Sequence, residues 1–190
     1  MCCGVDSLRE INRQLFHVIL GLALLFVLFN FGRSKTIYFL SAILIIGLLL
    51  INLVVRGIRV PIATWFVETF ERKHAPLPGY GSAWYVVGLL LSCLLIHDVY
   101  CLAAAVVVFA FGDAASTIFG YKGRIPLPYN KKKTVEGTFA FILFSLSSFL
   151  LVGWYAIPLA LFAALVESLP LGIDDNVSIP IACSIFFYLI

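Results

Sequence analysis

Charge is what this chain is short of. Lys, Arg, Asp and Glu make up 12% of its 190 residues, against roughly 25% in a soluble domain, and that deficit excludes a freely soluble globular protein. Cysteine patterns that bind metal are missing too. Cys2, Cys3, Cys93, Cys101 and Cys183 form no CxxC pair and have no histidine at a spacing that suits zinc, so they read as small apolar residues. Acylation of Cys2 and Cys3 near a membrane is the alternative. No GxxxxGK[ST] loop occurs, which excludes a P-loop ATPase. Internal repeats are missing as well, and a small transporter built from paired halves would need them. The net charge of +3 is modest, and no nucleic-acid partner is expected.

What is present is apolar: 62% of the residues, with a mean hydropathy of +1.06. The expectation is an all-α, polytopic integral membrane bundle forming a single domain over residues 1–190. Candidate spans are Leu15–Phe31, Ile37–Val55, Ala83–Ile96, Val99–Phe119, Phe139–Gly153, Tyr155–Leu169 and Val177–Ile190, about seven helices. Several fall short of the roughly 20 residues of a free-standing transmembrane helix, so they must pack together, extend into polar flanks or thin the bilayer. The first run lacks a small-residue cleavage site and reads as a retained helix. Between the second and third spans, Gly57 to Phe70 is too polar and short to cross. Ile58, Ile62, Trp65, Phe66 and Phe70 recur on one side, and Pro61 suits a first helical turn, so an interfacial helix is expected there. A cytoplasmic extension of the second span is the alternative.

Counting basic residues on alternate sides of the seven spans gives an orientation. Arg9, Arg13, Arg56, Arg59, Arg72, Lys73, Lys122, Arg124, Lys131, Lys132 and Lys133 fall on one side, and only Arg33 and Lys35 on the other. The N-terminus, the segment from Arg56 to Ser82, the loop from Lys122 to Glu136 and the loop from Gly172 to Asn176 are therefore expected in the cytoplasm, on a cell or ER membrane.

The polar residues that remain are candidates for chemistry. Asp113 ends thirteen uncharged residues, Val99 to Phe111, and Gly112; a carboxylate deep in lipid costs about 2.5–3.5 kcal/mol and is a functional candidate by default. Lys131, Lys132 and Lys133 follow in a glycine-interrupted loop and precede Thr134, Glu136 and Gly137. Carboxylates suit a divalent ion and lysines suit outer phosphates, a pairing that fits a metal-bound polyphosphate. An anchor on anionic lipid is the plainer use of three lysines. Glu10, Arg13 and His17 share a helix face. Glu68, Glu71, Arg72, Lys73 and His74 run into a turn of Pro76, Pro78, Gly79 and Gly81, whose amides can approach an anion. Glu167, Asp174, Asp175 and Asn176 form a last cluster with metal or nucleotide character, although Asn176 also suits a helix cap.

Taken together, Glu10-x-x-Arg13-x-x-x-His17, Pro78-Gly79-Tyr80-Gly81, Gly112-Asp113-Ala114, Lys132-Lys133-Thr134-Val135-Glu136-Gly137 and Glu167 followed by Asp174-Asp175-Asn176 resemble the CTP-dependent lipid-alcohol kinases. That family includes dolichol kinase, phytol kinase and yeast-type diacylglycerol kinase, and is distantly related to phosphatidate cytidylyltransferases. The resemblance implies phosphoryl transfer from CTP, with Mg²⁺, to the hydroxyl of a membrane lipid such as polyprenol or dolichol, phytol or geranylgeraniol, or diacylglycerol. It implies Asp113, Asp174 and Asp175 as metal ligands, and Gly112, Lys132, Lys133, Thr134, Gly137 and Asn176 around the nucleotide. For the base, Glu136, Glu167 and His17 compete. A cytidylyltransferase is expected to carry a second Gly-Asp signature followed by Lys-Arg near its C-terminus. Asp174-Asp175-Asn176 stands there instead, which favours the kinase over a CDP-lipid synthase.

Overall fold

The computed structural model describes residues 3–70 and 76–190, and of residues 3–9, 62 and 68 it describes the backbone only. Glu71, Arg72, Lys73, His74 and Cys2, and the side chains of Cys3, Arg9, Ile62 and Glu68, lie outside the described set. The helices are α1 (Cys3–Val55), α2 (Pro61–Phe70), α3 (Tyr80–Leu95), α4 (Val99–Val107), α5 (Asp113–Tyr121), α6 (Val135–Ser145), α7 (Phe149–Val152), α8 (Ala156–Ser168) and α9 (Asp175–Leu189). Among the described residues there is no strand, only an isolated antiparallel bridge between Pro126 and Thr134.

Among the described residues, three runs are long and apolar enough to cross a membrane: Glu10–Val55, Val99–Tyr121 and Val135–Ser168. Tyr80–Leu95 and Asp175–Leu189 are shorter apolar helices. The first run holds 46 residues and would measure about 70 Å if straight, more than twice the roughly 30 Å of a bilayer core. It does not stay straight. Gly32 takes φ 77° and ψ 169°, a conformation that side chains with a Cβ rarely adopt. Phe16 and Ile51 consequently line one cavity, although a continuous helix would hold them about 50 Å apart. Thus α1 is a hairpin of two arms, with a single residue as its break between the spans expected at Leu15–Phe31 and Ile37–Val55. The third run breaks at Gly153, φ 57° and ψ −136°, and α8 returns along α6.

The central element is the rod formed by α4 and α5. Leu102 to Val106, Val108 and Phe109 are buried almost completely, because the alanines let neighbouring helices approach and the branched residues fill what is left. Asp98 starts α4 by accepting the Cys101 amide at 2.8 Å. Val108–Gly112 is one π-helical turn. Such a turn inserts a residue into the helix and rotates everything after it by about 100°, which sets the facing of Asp113. Helix α2 begins at Pro61, as the sequence predicts, and packs Phe66 and Phe70 on Phe16 at ring separations of 5.2 and 4.8 Å.

Candidate active site

Asp113 is buried at the start of α5. Ser116 and Thr117, three and four residues later, lie on the same face. Ser116 Oγ donates to Glu167 Oε1 at 2.6 Å, and Glu167, on the last turn of α8, is only 1% exposed. Asp175 opens α9 behind Asp174, whose carboxylate accepts the Asn176 amide at 3.0 Å and caps that helix. Asp113, Glu167 and Asp175 each offer an oxygen within 4.8 Å of the others.

Three carboxylates so close repel one another unless a cation joins them. Lys133 does so: its Nζ donates to Glu167 Oε1 at 2.5 Å and to Asp175 Oδ2 at 2.7 Å. Burial opposes its charge, but the carboxylates of Glu167, Asp175 and Asp113 outweigh burial and hold the ammonium above the ordinary lysine range. The pairing is incomplete. Glu167 Oε2 is buried without a hydrogen-bond partner among the described residues. An orphaned carboxylate oxygen beside two more carboxylates is a hard, oxygen-only donor set, which fits a divalent cation such as Mg²⁺ or Ca²⁺.

A polar cavity of about 150 Å³ adjoins the acids, lined by Arg13, Asp113, Thr117, Ile173, Asp174, Asp175 and Asn176. The Arg13 guanidinium donates to the Glu10 carboxylate, while its buried Nε has no partner among the described residues. The cavity is thus lined by the Arg13 guanidinium and stands beside the acid group that holds the unpartnered Glu167 oxygen. That combination suits a phosphate bridged to a metal ion.

The loop that delivers Lys133 is built from its own sequence. Leu127 N donates to Lys133 O and Val135 N to Ile125 O, each at 2.9 Å, so the two edges of the loop pair. Tyr129 Oη donates to Ser168 Oγ and Asn130 Nδ2 to Ser168 O, both at 2.9 Å, fastening the tip beside Glu167. Thr134 caps α6 by accepting the Gly137 amide at 3.2 Å. The Glu136 carboxylate accepts the amides of Arg124 at 2.8 Å and Ile125 at 3.3 Å. Gly137 lies where a Cβ would stand 2.9 Å from Ser116 O, so α5 and α6 cross closely.

The residues singled out in the sequence thus separate. Asp113, Lys133, Glu167 and Asp175 meet, and Asp174 and Asn176 stand on the cavity wall. Lys132 is exposed and Gly112 packs against Ser145 and Phe141. Thr134, Glu136 and Gly137 hold the loop. His17 is buried, its ring 4.3 Å from Tyr85, and its carbonyl accepts the Tyr85 hydroxyl at 2.8 Å. Sequence reasoning missed Ser116, Thr117, Tyr129 and Ser168. The spacing of Ser116 and Thr117 from Asp113 was a usable signal for the first two.

No protein-family model matches the chain, and no solved structure matches it. The probable phytol kinase 1, chloroplastic, of Glycine max is 28% identical over 197 residues, covering 92% of this chain. Its counterpart in Oryza sativa subsp. japonica is 26% identical over 204 residues, covering 96%. In both comparisons the match spans 65% of the plant protein's length. An uncharacterized protein of Methanocaldococcus jannaschii is 34% identical over 176 residues, covering 91% of this chain and 90% of its own. At that identity and coverage, the chain belongs to the same family as the Methanocaldococcus jannaschii protein.

Proposed function

We propose that the chain is a membrane-embedded kinase that moves the terminal phosphoryl group of a nucleoside triphosphate, CTP by the resemblance, onto the hydroxyl of a lipid alcohol. The observation that carries this reading is the group formed by buried Asp113 and Glu167 and half-buried Asp175 with Lys133 among them, beside a cavity walled by Arg13. The likeness to plant phytol kinases supports the same class. In the membrane, the breaks at Gly32 and Gly153 fold two long runs into hairpins, which gives seven crossings. The acids, Arg13 and the basic loop then share the cytoplasmic end.

Phosphoryl transfer asks the protein for position and charge neutralisation rather than covalent chemistry. Asp113, Glu167 and Asp175 would hold a divalent cation, which supplies charge neutralisation to the phosphates. Arg13 and Lys133 hold the phosphate oxygens, and Lys132, exposed on the same loop, meets the nucleotide from solvent. A lipid oxygen–phosphorus bond forms as the bridging oxygen–phosphorus bond of the donor breaks, and the hydroxyl proton passes to a carboxylate. Among the three base candidates, the Glu136 carboxylate is committed to loop amides and the His17 ring is packed on Tyr85, whereas Glu167 retains an unpartnered oxygen. That sets Glu136 and His17 aside and leaves the proton to the acid group of Asp113, Glu167 and Asp175.

Purified protein with Mg²⁺, isoprenoid alcohols, diacylglycerol or phosphatidate, and CTP or ATP labelled at either the α or the γ phosphorus tests the reading. Label from the γ position is expected in the lipid phase, with CTP the better donor, and Asp113→Asn should abolish the transfer in folded protein. Transfer of α label would identify a cytidylyltransferase instead. Label in neither form would remove both.

A further inference from the structure

The two arms of α1, together with α2 and the first turns of α3, enclose a second cavity of about 370 Å³, within the roughly 300–1,000 Å³ of small-molecule sites. Phe16, Leu20, Ile51, Phe66 and Val86 line it, and the only hydroxyl on its described lining is that of Ser82. The exposed side chains of Ile46 and Leu48 edge it. The cleft therefore communicates with the hydrocarbon outside the bundle.

Gly47 lies on this lining, in mid-helix. Neither usual reason for a glycine applies to it. Its φ is not positive, and a Cβ there would meet nothing within 4 Å. Gly21 on the other arm shows the contrast, since its Cβ would meet Ala110 at 2.5 Å. A mid-helix glycine costs up to about 1 kcal/mol relative to alanine, and what it leaves at position 47 is open space in the cleft.

The cleft also abuts the polar cavity. Ser82 follows Gly81, whose carbonyl accepts Asn176 Nδ2 at 3.3 Å, and Asn176 is on the polar wall. Phe16 is one turn from Arg13 on the same helix. A ligand that is hydrocarbon along its length and polar at one end matches this arrangement. We propose that the cleft holds the hydrocarbon chain of the lipid alcohol, with its hydroxyl at the Ser82 end. The identity of the polar end as a phosphate acceptor rests on the kinase reading above. Occupancy of the cleft does not.

The full chain in phosphatidylcholine nanodiscs is irradiated with a diazirine-bearing analogue of geranylgeraniol, and adducts are mapped by mass spectrometry. Adducts are expected on Ile51, Phe66 or Val86, suppressed by excess geranylgeraniol and unaffected by added phosphatidylcholine. Gly47→Phe fills the space and should cut their yield about tenfold; it should lower kcat/KM for geranylgeraniol relative to prenol by a similar factor. Ala83→Leu narrows the same cleft and serves if Gly47→Phe does not fold. Adducts that geranylgeraniol does not suppress, or that fall outside the cleft, overturn the assignment. If no alcohol is phosphorylated yet suppressible adducts remain in the cleft, the kinase reading falls and the cleft assignment stands. Phosphorylation of geranylgeraniol without cleft adducts gives the reverse.

Discussion

Lys131, Lys132 and Lys133 are adjacent and chemically identical, yet among them Lys133 is the one that reaches the carboxylates of Glu167 and Asp175. Its direction is set by loop hydrogen bonds on either side, Lys133 N to Asn130 O at 3.0 Å and Leu127 N to Lys133 O at 2.9 Å. Lys133→Ala is expected to lower kcat/KM for nucleotide ten- to a hundredfold, the roughly 1.5–3 kcal/mol of a charge-assisted contact. Lys131→Ala should leave it within about twofold, and steady-state kinetics on the two variants decides. Lys133→Met also strands three carboxylates, so its thermal midpoint should rise with added Mg²⁺ more than that of the wild type. The sign of the pH effect follows from the raised lysine. Its contribution is complete below the ordinary value of 10.5 and is lost only as pH climbs through the still higher folded value. The Lys133 ammonium itself should therefore bring no pH dependence to stability between about pH 6 and 9. The sequence made Asp113 and the acids near Asp175 visible, because charge is rare in apolar surroundings. It could not separate Lys132 from Lys133, since periodicity says nothing about a loop side chain whose direction depends on distant hydrogen bonds. Nor could it tell that Glu136 ties the loop while Glu167 joins the acids.

Glycines inside the helices of this chain are of two kinds, and substitution tells them apart. On α3, a Cβ at Gly88 would run into the backbone carbonyl of Asn176 and stand 2.9 Å from Pro180 on α9. Gly88→Ala must push α9 away and should cost about 1–3 kcal/mol, displacing Asn176 from the polar cavity as well. Gly47→Ala meets open space and should stabilise by up to about 1 kcal/mol. Thermal unfolding of the two variants in one detergent gives opposite signs if the packing is as described. At the other end of the bundle, Asp98 caps α4, and the Cys101 amide holds its carboxylate below the ordinary range. A lowered acid contributes above its ordinary value and loses that contribution as pH falls through the folded one. The deficit of Asp98→Ala, roughly 0.5–1 kcal/mol at neutral pH, should accordingly shrink below about pH 4. Element type was legible because apolar runs and Pro61 announce helices. The π-helical turn before Asp113 was not, for the run from Val99 to Phe111 carries no periodic mark of an extra residue.

At the scale of the molecule, the residues that meet come from α1, α5, the loop before α6, α8 and α9, and an alternating path brings all of them to one end. Arg13 on the first arm of α1 lines the cavity with Asp113 and Asp175. Arg33, beyond the turn of that hairpin, instead donates to the carbonyls of Cys93 at 2.7 Å and Leu94 at 3.1 Å at the far end of α3. The two arginines thus mark opposite ends of the bundle. Ser34 beside Arg33 and Lys131 in the basic loop are both exposed and make clean reporters. In a background with the five native cysteines replaced, Ser34→Cys and Lys131→Cys should react with an impermeant maleimide from opposite sides of sealed vesicles, Lys131→Cys from the cytoplasmic one. Seven crossings require that outcome, because three lie between Ser34 and Lys131. An even number would bring both labels to one side, and the hairpin at Gly153 cannot rescue the count, since it lies after both reporters. Labelling from a single side would therefore remove a crossing among the second arm of α1, α3 and the α4–α5 rod. It would also separate Arg13 or Lys133 from the compartment that holds the nucleotide.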